Sequence, residues 1–159
     1  MNKLKREQFL PVSIDEAWGF FASPKNLNAV TPKDLLFEIT SALPDQMYEG
    51  LIITYRIKPM LNISIGWCTE ITHIKHNQYF IDEQRKGPYK IWHHEHHFNQ
   101  VDGGVLMTDL LYYDIGKSIF GWLAGELFVN KKVKQIFDYR FTALDNYFQK
   151  KDENSSSNK

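Results

Sequence analysis

Between residues 51 and 57, Leu51, Ile53, Tyr55 and Ile57 alternate with Ile52, Thr54 and Arg56, and Ile63, Ile65, Trp67, Thr69 and Ile71 alternate in the same way with more polar partners. A period of two belongs to a strand with one covered face. Segments of this character at 36–42, 50–58, 63–75, 78–85, 90–101 and 105–113 predict six consecutive antiparallel strands, with His76-Asn77, Gly87-Pro88 and Asp102-Gly103-Gly104 at the hairpin turns. Ahead of them, Gln8, Leu10 and Val12 alternate with Phe9 and Pro11 in a first strand beginning near Lys5. Ser13 followed three residues later by Glu16 is a capping box, and it opens a helix bearing Ile14, Ala17, Trp18 and Phe21. Ser23-Pro24 ends that helix, a second short helical piece covers 25–30, and Thr31-Pro32 breaks the chain.

After the sixth segment the period lengthens. Ile119, Leu123 and Leu127, then Val133, Ile136, Phe137, Arg140, Phe141, Leu144, Tyr147 and Phe148, predict one long amphipathic helix. At about 1.5 Å per residue it reaches on the order of 40 Å, enough to cross the concave face of a curved sheet. Residues 150–159 are polar with nothing to bury and are expected to form a disordered tail after a single domain of residues 1–149. The fold class is therefore α+β.

The 159 residues, 43% hydrophobic and 14% aromatic, suffice for one domain with a substantial core. Nineteen basic residues balance nineteen acidic ones, so no overall field favours nucleic acid or an anionic membrane surface. The lone Cys68 excludes an intramolecular disulfide and a multi-cysteine zinc site. No apolar h-region follows the basic amino terminus, and no run approaches the roughly 18 apolar residues needed to span a bilayer. A soluble cytoplasmic protein is the expectation.

The chemistry concentrates in Trp92-His93-His94-Glu95-His96-His97-Phe98. Strand geometry puts Trp92, His94, His96 and Phe98 on one face and His93, Glu95 and His97 on the other. Two aromatics bracketing two imidazoles suit the wall of a pocket for an apolar molecule touched at a few polar points. Strand phase places Asp82, Gln84 and Asp109 on faces able to join that wall, where a carboxylate beside an imidazole can hold its tautomer and raise its pKa. His94, His96 and Asp109 thus read as ligand-orienting or structurally paired residues, and they are the candidates for catalysis if the site is catalytic. His-x-His on one strand can also place two imidazoles on one metal ion, with His73, Asp82 or Asp109 as third ligand. No sequence feature selects that third ligand, so no metal or cofactor is assigned. Cys68, Ser64 and Ser118 lie in no nucleophile motif, and no dinucleotide fingerprint occurs. The apolar stretch 115–129, with Phe120, Trp122, Leu123, Leu127 and Phe128, reads as core, portal or interface, and Lys131, Lys132 and Lys134 follow it.

The element order resembles the helix-grip fold of the START / Bet v 1-like (SRPBCC) superfamily, which includes polyketide cyclases and lipid-transfer domains. Within it the chain is similar to a bacterial subgroup of small stand-alone ligand-binding domains. That resemblance is carried by Phe80-x-Asp82-x-Gln84-x-x-Gly87-Pro88, Trp92-x-His94-x-His96-x-Phe98, Gly104-x-x-Met107-x-Asp109-x-x-x-Tyr113, Gly121-x-Leu123-Ala124 and Ile136-Phe137-x-Tyr139-Arg140. It implies a curved antiparallel sheet of about seven strands wrapped around the long helix, with a cavity between them. The expected function is binding of a small hydrophobic or lipid-like molecule there, with Trp67, Trp92, Phe98 and Tyr113 supplying apolar area and His94, His96, Asp82, Gln84 and Asp109 orienting one polar end. The alternatives are a cyclase- or dehydratase-type enzyme using a histidine–aspartate pair, and a protein-interaction module docking through the segment near Trp122.

Overall fold

The computed structural model describes residues 1–58, 63–116 and 125–156, with side chains described to residue 149. Strand β1 (Asn2–Leu10) leads into helix α1 (Ile14–Phe21) and two 3-10 turns (Pro24–Val30 and Lys33–Leu35). Strands β2 (Glu38–Ile39), β3 (Ile52–Ile57), β4 (Ile65–Lys75), β5 (Tyr79–Lys86), β6 (Ile91–Val101) and β7 (Gly104–Asp114) follow, and then helix α2 (Glu126–Ser156). All strands form one antiparallel seven-stranded sheet in the order β1-β7-β6-β5-β4-β3-β2. This is the helix-grip α+β architecture.

Helix α1 starts where its sequence says it should. The Ser13 hydroxyl accepts from the Glu16 backbone N–H, and the Glu16 carboxylate accepts from the Ser13 N–H at 3.2 Å. Ser13→Ala removes both that acceptor and the geometry that returns Glu16, and is expected to lower stability by about 1 kcal/mol in urea denaturation.

Three boundaries depart from the periodicity. Of the strand expected over 36–42, only Glu38 and Ile39 keep ladder register: Leu36 takes a left-handed conformation (φ 44°) as it closes the second 3-10 turn, and past Ile39 the Thr40 and Ser41 N–H groups both turn to Thr54 O. The long helix, expected from Ile119, begins in the described residues at Glu126, after Gly125 with φ 74°, a backbone state that cannot continue an α-helix. Ser118, Phe120, Gly121, Trp122 and Leu123 lie outside the described residues. At its far end the helix runs past 149 to Ser156, through Lys150, Lys151 and Glu153, which propagate a helix well.

The concave face of the sheet carries the interior. Along β7 burial alternates strictly, with Val105, Met107, Asp109, Leu111 and Tyr113 inward, and β6 turns His94, His96 and Phe98 the same way. Helix α2 lays Val133, Phe137, Leu144 and Phe148 against this face. One apolar cluster joins α1, the far end of α2 and the sheet through Trp18, Phe20, Phe21, Phe98 and Phe148. A second, smaller one joins Leu111, Tyr113, Val133 and Phe137. Among the described residues no helix is long and apolar enough to cross a membrane.

Candidate functional site

Register places four polar side chains at the corners of a square on three neighbouring strands. Asp82 of β5 lies directly opposite His94 of β6, and His96 of β6 lies directly opposite Asp109 of β7. Each histidine is therefore diagonal to the other carboxylate, within reach on one face of a sheet. The outcome is a closed ring. Asp82 Oδ2 is 3.4 Å from His94 Nδ1 and 3.0 Å from His96 Nε2, while Asp109 Oδ1 is 3.1 Å from His94 Nε2 and 2.8 Å from His96 Nδ1.

A fifth group closes over the ring from the helix. Arg140 Nε is 3.2 Å from Asp109 Oδ2, and Nη2 is 3.3 Å from His96 Nδ1. The guanidinium also lies over the Phe21 ring, 5.5 Å from its centroid. Phe80 stacks on His96 at 4.1 Å and Phe137 meets His94 edge-on at 5.2 Å, so the polar cluster sits at the seam between the two apolar clusters.

Burial and pairing decide the charges. For Asp109 burial opposes ionisation, yet the Arg140 charge and the hydrogen bonds from His94 and His96 hold its carboxyl well below the usual range. Burial likewise opposes ionisation of Asp82, and its two imidazole partners outweigh that and depress its pKa. Burial disfavours an imidazolium at His94, but the bonds to Asp109 and Asp82 overcome it and raise the pKa, while burial and the neighbouring His94 charge lower that of His96. Below the raised His94 pKa, two carboxylates face one guanidinium and one imidazolium, and the buried charges cancel. His94 stands in the cavity wall with both ring nitrogens facing carboxylates, Nδ1 toward Asp82 and Nε2 toward Asp109.

Between sheet and helix lies a cavity of about 230 Å³, to which Asp82, His94, His96 and Arg140 contribute the polar end. Its apolar walls include Tyr55, Trp67, Trp92, Ile136 and Phe137. Trp67 is pinned in place: its Nε1 donates to Thr69 Oγ1 at 3.0 Å, the Tyr55 hydroxyl meets the same oxygen at 3.0 Å, and Trp92 packs edge-on against it at 5.1 Å.

Of the side chains singled out from the sequence, Trp67, Asp82, Trp92, His94 and His96 line this cavity. The others take different places. Asp109 stands behind the two imidazoles. Phe98 packs into the main core against Trp18 and Phe21 at 5.6 and 5.1 Å, and the Tyr113 hydroxyl donates to Asn130 Oδ1 at 2.9 Å within the smaller cluster. Gln84 is spent on the β5–β6 turn, where Nε2 donates to Tyr89 O at 2.6 Å and Oε1 accepts from Tyr89 N at 3.2 Å. A Cβ at Gly87 would run into the Gln84 amide and push it off these two turn bonds. His73 is exposed on β4, 3.2 Å from Thr72 Oγ1. On the outer face His93 reaches Glu83 and Glu95 at 2.8 and 3.2 Å, and His97 reaches Glu95 at 2.7 Å. Arg140 is the site residue that the strand pattern does not reveal. Its signal is a charge on the helix stripe Val133, Phe137, Leu144 and Phe148, where every other member is apolar.

The architecture is that of Bet v 1-like proteins. Protein Ms6760 from Mycobacterium smegmatis superposes with a TM-score of 0.68 at 15% identity, covering 94% of this chain and 92% of that one. Ara h 8.0201 gives a TM-score of 0.62 at 18% identity, over 94% of this chain and 98% of that one. Ginseng major latex-like protein 151 from Panax ginseng gives 0.64 at 11% identity, over 92% of this chain and 97% of that one. At these identities the likeness extends to the fold. No protein-family model matches the chain, and no curated protein matches it.

Proposed function

We propose that the protein binds a small hydrophobic molecule in the cavity between the sheet and α2, as a carrier or sensor. The observation that carries this reading is a cavity with aromatic and aliphatic walls that ends on one side in a compact polar cluster of Asp82, His94, His96 and Arg140, backed by Asp109. Apolar walls supply affinity at about 25 cal/mol per Å² removed from water. The polar end supplies orientation. Arg140 lines that end with its guanidinium held by Asp109 and His96, at 3.2 and 3.3 Å, so a ligand oxygen there meets a fixed positive charge. A volume of about 230 Å³ sits below the span of roughly 300–1,000 Å³ common for ligand pockets, which favours a compact molecule over a two-chain lipid.

Native mass spectrometry of purified protein and titration with the apolar fluorophore ANS, read also through Trp67 and Trp92 emission, test this. Saturable binding is expected. Ile136→Trp, which fills the cavity from a half-buried position on α2, should weaken the probe by about tenfold or more while leaving the far-UV spectrum unchanged. Protein that stays empty and takes up no apolar probe would remove the reading.

A further inference from the structure

We propose that Asp82, His94 and His96 form a divalent-metal site of the zinc type at the polar end of the cavity, with a fourth coordination position open to the cavity.

Spacing comes first. A tetrahedral ion with bonds of about 2.0–2.2 Å holds its donor atoms roughly 3.4 Å apart. Asp82 Oδ2 stands 3.4 Å from His94 Nδ1 and 3.0 Å from His96 Nε2, and one ligating atom from each of the three residues lies within 4.8 Å of the others. The donors are near coordination distance already, fixed by the pairing of β5 with β6 rather than by a loop.

The second nitrogen of each ring supports the same assignment. His94 Nε2 and His96 Nδ1 both face Asp109 Oδ1, at 3.1 and 2.8 Å. A neutral imidazole has a single N–H. For His94, the N–H directed at Asp109 leaves the Nδ1 lone pair on the Asp82 side; His96 bonds Asp82 through Nε2 at 3.0 Å, and an incoming metal ion displaces that proton to take the nitrogen. One carboxylate oxygen and two ring nitrogens thus face one another at the spacing a metal ion spans once it replaces the protons between them. Metal-bound histidines regularly donate their other N–H to a carboxylate, and here Asp109 bonds that nitrogen of His94 and lies 2.8 Å from that of His96. Arg140 neutralises Asp109, its Nε 3.2 Å from Oδ2, and reaches His96 at Nδ1, the ring nitrogen not offered to the ion.

Charge then describes the fourth ligand. A divalent ion and Arg140 against Asp82 and Asp109 leave one positive charge, which an anionic oxygen cancels. Hydroxide can supply it, and so can the carboxylate, phenolate or enolate end of a cavity ligand. Only this last step rests on the function proposed above; uptake of the metal does not.

The outer face of β6 is the competitor, because His93, Glu95 and His97 with Glu83 can also attract a metal ion. The test uses the full chain without an affinity tag, stripped with chelator and titrated with Zn²⁺ alone by calorimetry and with Co²⁺ by visible absorption. One equivalent should bind, and Co²⁺ should show the intense absorption of a four-coordinate nitrogen/oxygen site. Asp82→Asn should weaken Zn²⁺ by more than about 100-fold and Asp109→Asn by about 10–100-fold, while the double variant His93→Gln/His97→Gln keeps wild-type affinity. Failure of the wild-type protein to take up a stoichiometric ion overturns the site, as does binding that survives Asp82→Asn and vanishes with His93 and His97. The wild-type titrations need no variant to fold. ANS titration of the chelated protein separates the two proposals: probe binding without metal uptake removes this site and keeps the cavity function, and metal uptake without probe binding does the reverse.

Discussion

Asp109→Leu in the metal-free protein should cost about 3–5 kcal/mol of stability, measured by urea denaturation. That is the penalty for removing one partner of a buried ion pair and leaving the other charge uncompensated. Asp109 is 6% exposed, and with it go the contacts to His94, His96 and Arg140 at 3.1, 2.8 and 3.2 Å. Arg140→Met should show a loss of similar size, because Asp109 would then keep its charge without a cation on that side. The double variant should be more stable than the sum of the two losses predicts, by at least about 1 kcal/mol, since both single changes break one shared interaction. Single losses under 1 kcal/mol would mean that water or a rearranged side chain compensates the site, and the account of the ring as a closed network would fail. Metal-free protein matters here because a bound ion adds its own stabilisation to the folded state.

Phe148→Ala should cost a further kind of energy, about 3–5 kcal/mol, from lost burial and the void left behind. Phe148 is 1% exposed near the end of α2 and meets Phe20 and Phe21 of α1 with ring centroids 5.3 and 6.3 Å apart. It therefore holds the end of the helix against the first helix and the sheet. Against a total stability of about 5–15 kcal/mol, that loss is a large share. Tyr139→Ala, on the exposed side of the same helix, should change stability by less than about 1 kcal/mol. Equal effects at 139 and 148 would contradict the docking face assigned to α2.

Strand periodicity carried most of the fold, because each strand has one covered face and the alternation is strict where burial is strict. β7 shows this best, with every second residue from Val105 to Tyr113 buried. The same alternation assigned His94 and His96 to the interior, and Asp82 to their neighbourhood. It was uninformative about depth: Phe98 and Tyr113 face inward as expected but serve the core, since a residue's face does not say whether a side chain or empty space lies beyond it. Gln84 has a local role that strand phase does not show. Near the end of β5 its side chain bonds to a turn backbone five residues on, a local demand that competes with any role in the sheet. Arg140 arrives from 31 residues beyond Asp109 on another element, and only tertiary packing brings the two together. Helix limits depended on Gly125 and its positive φ, a conformation that glycine permits but that its presence alone does not announce.

The sheet order has a cost in time. β1 pairs with β7, Leu10 opposite Val105 and Asn2 opposite Tyr113, so the first strand made must wait for the last. At ribosomal speeds of about 5–20 residues per second the interval is several seconds or more, during which a newborn strand lacks its only neighbour in the sheet. Nascent chains arrested before β7 emerges should therefore be captured by holdase chaperones, and those released after α2 should escape them.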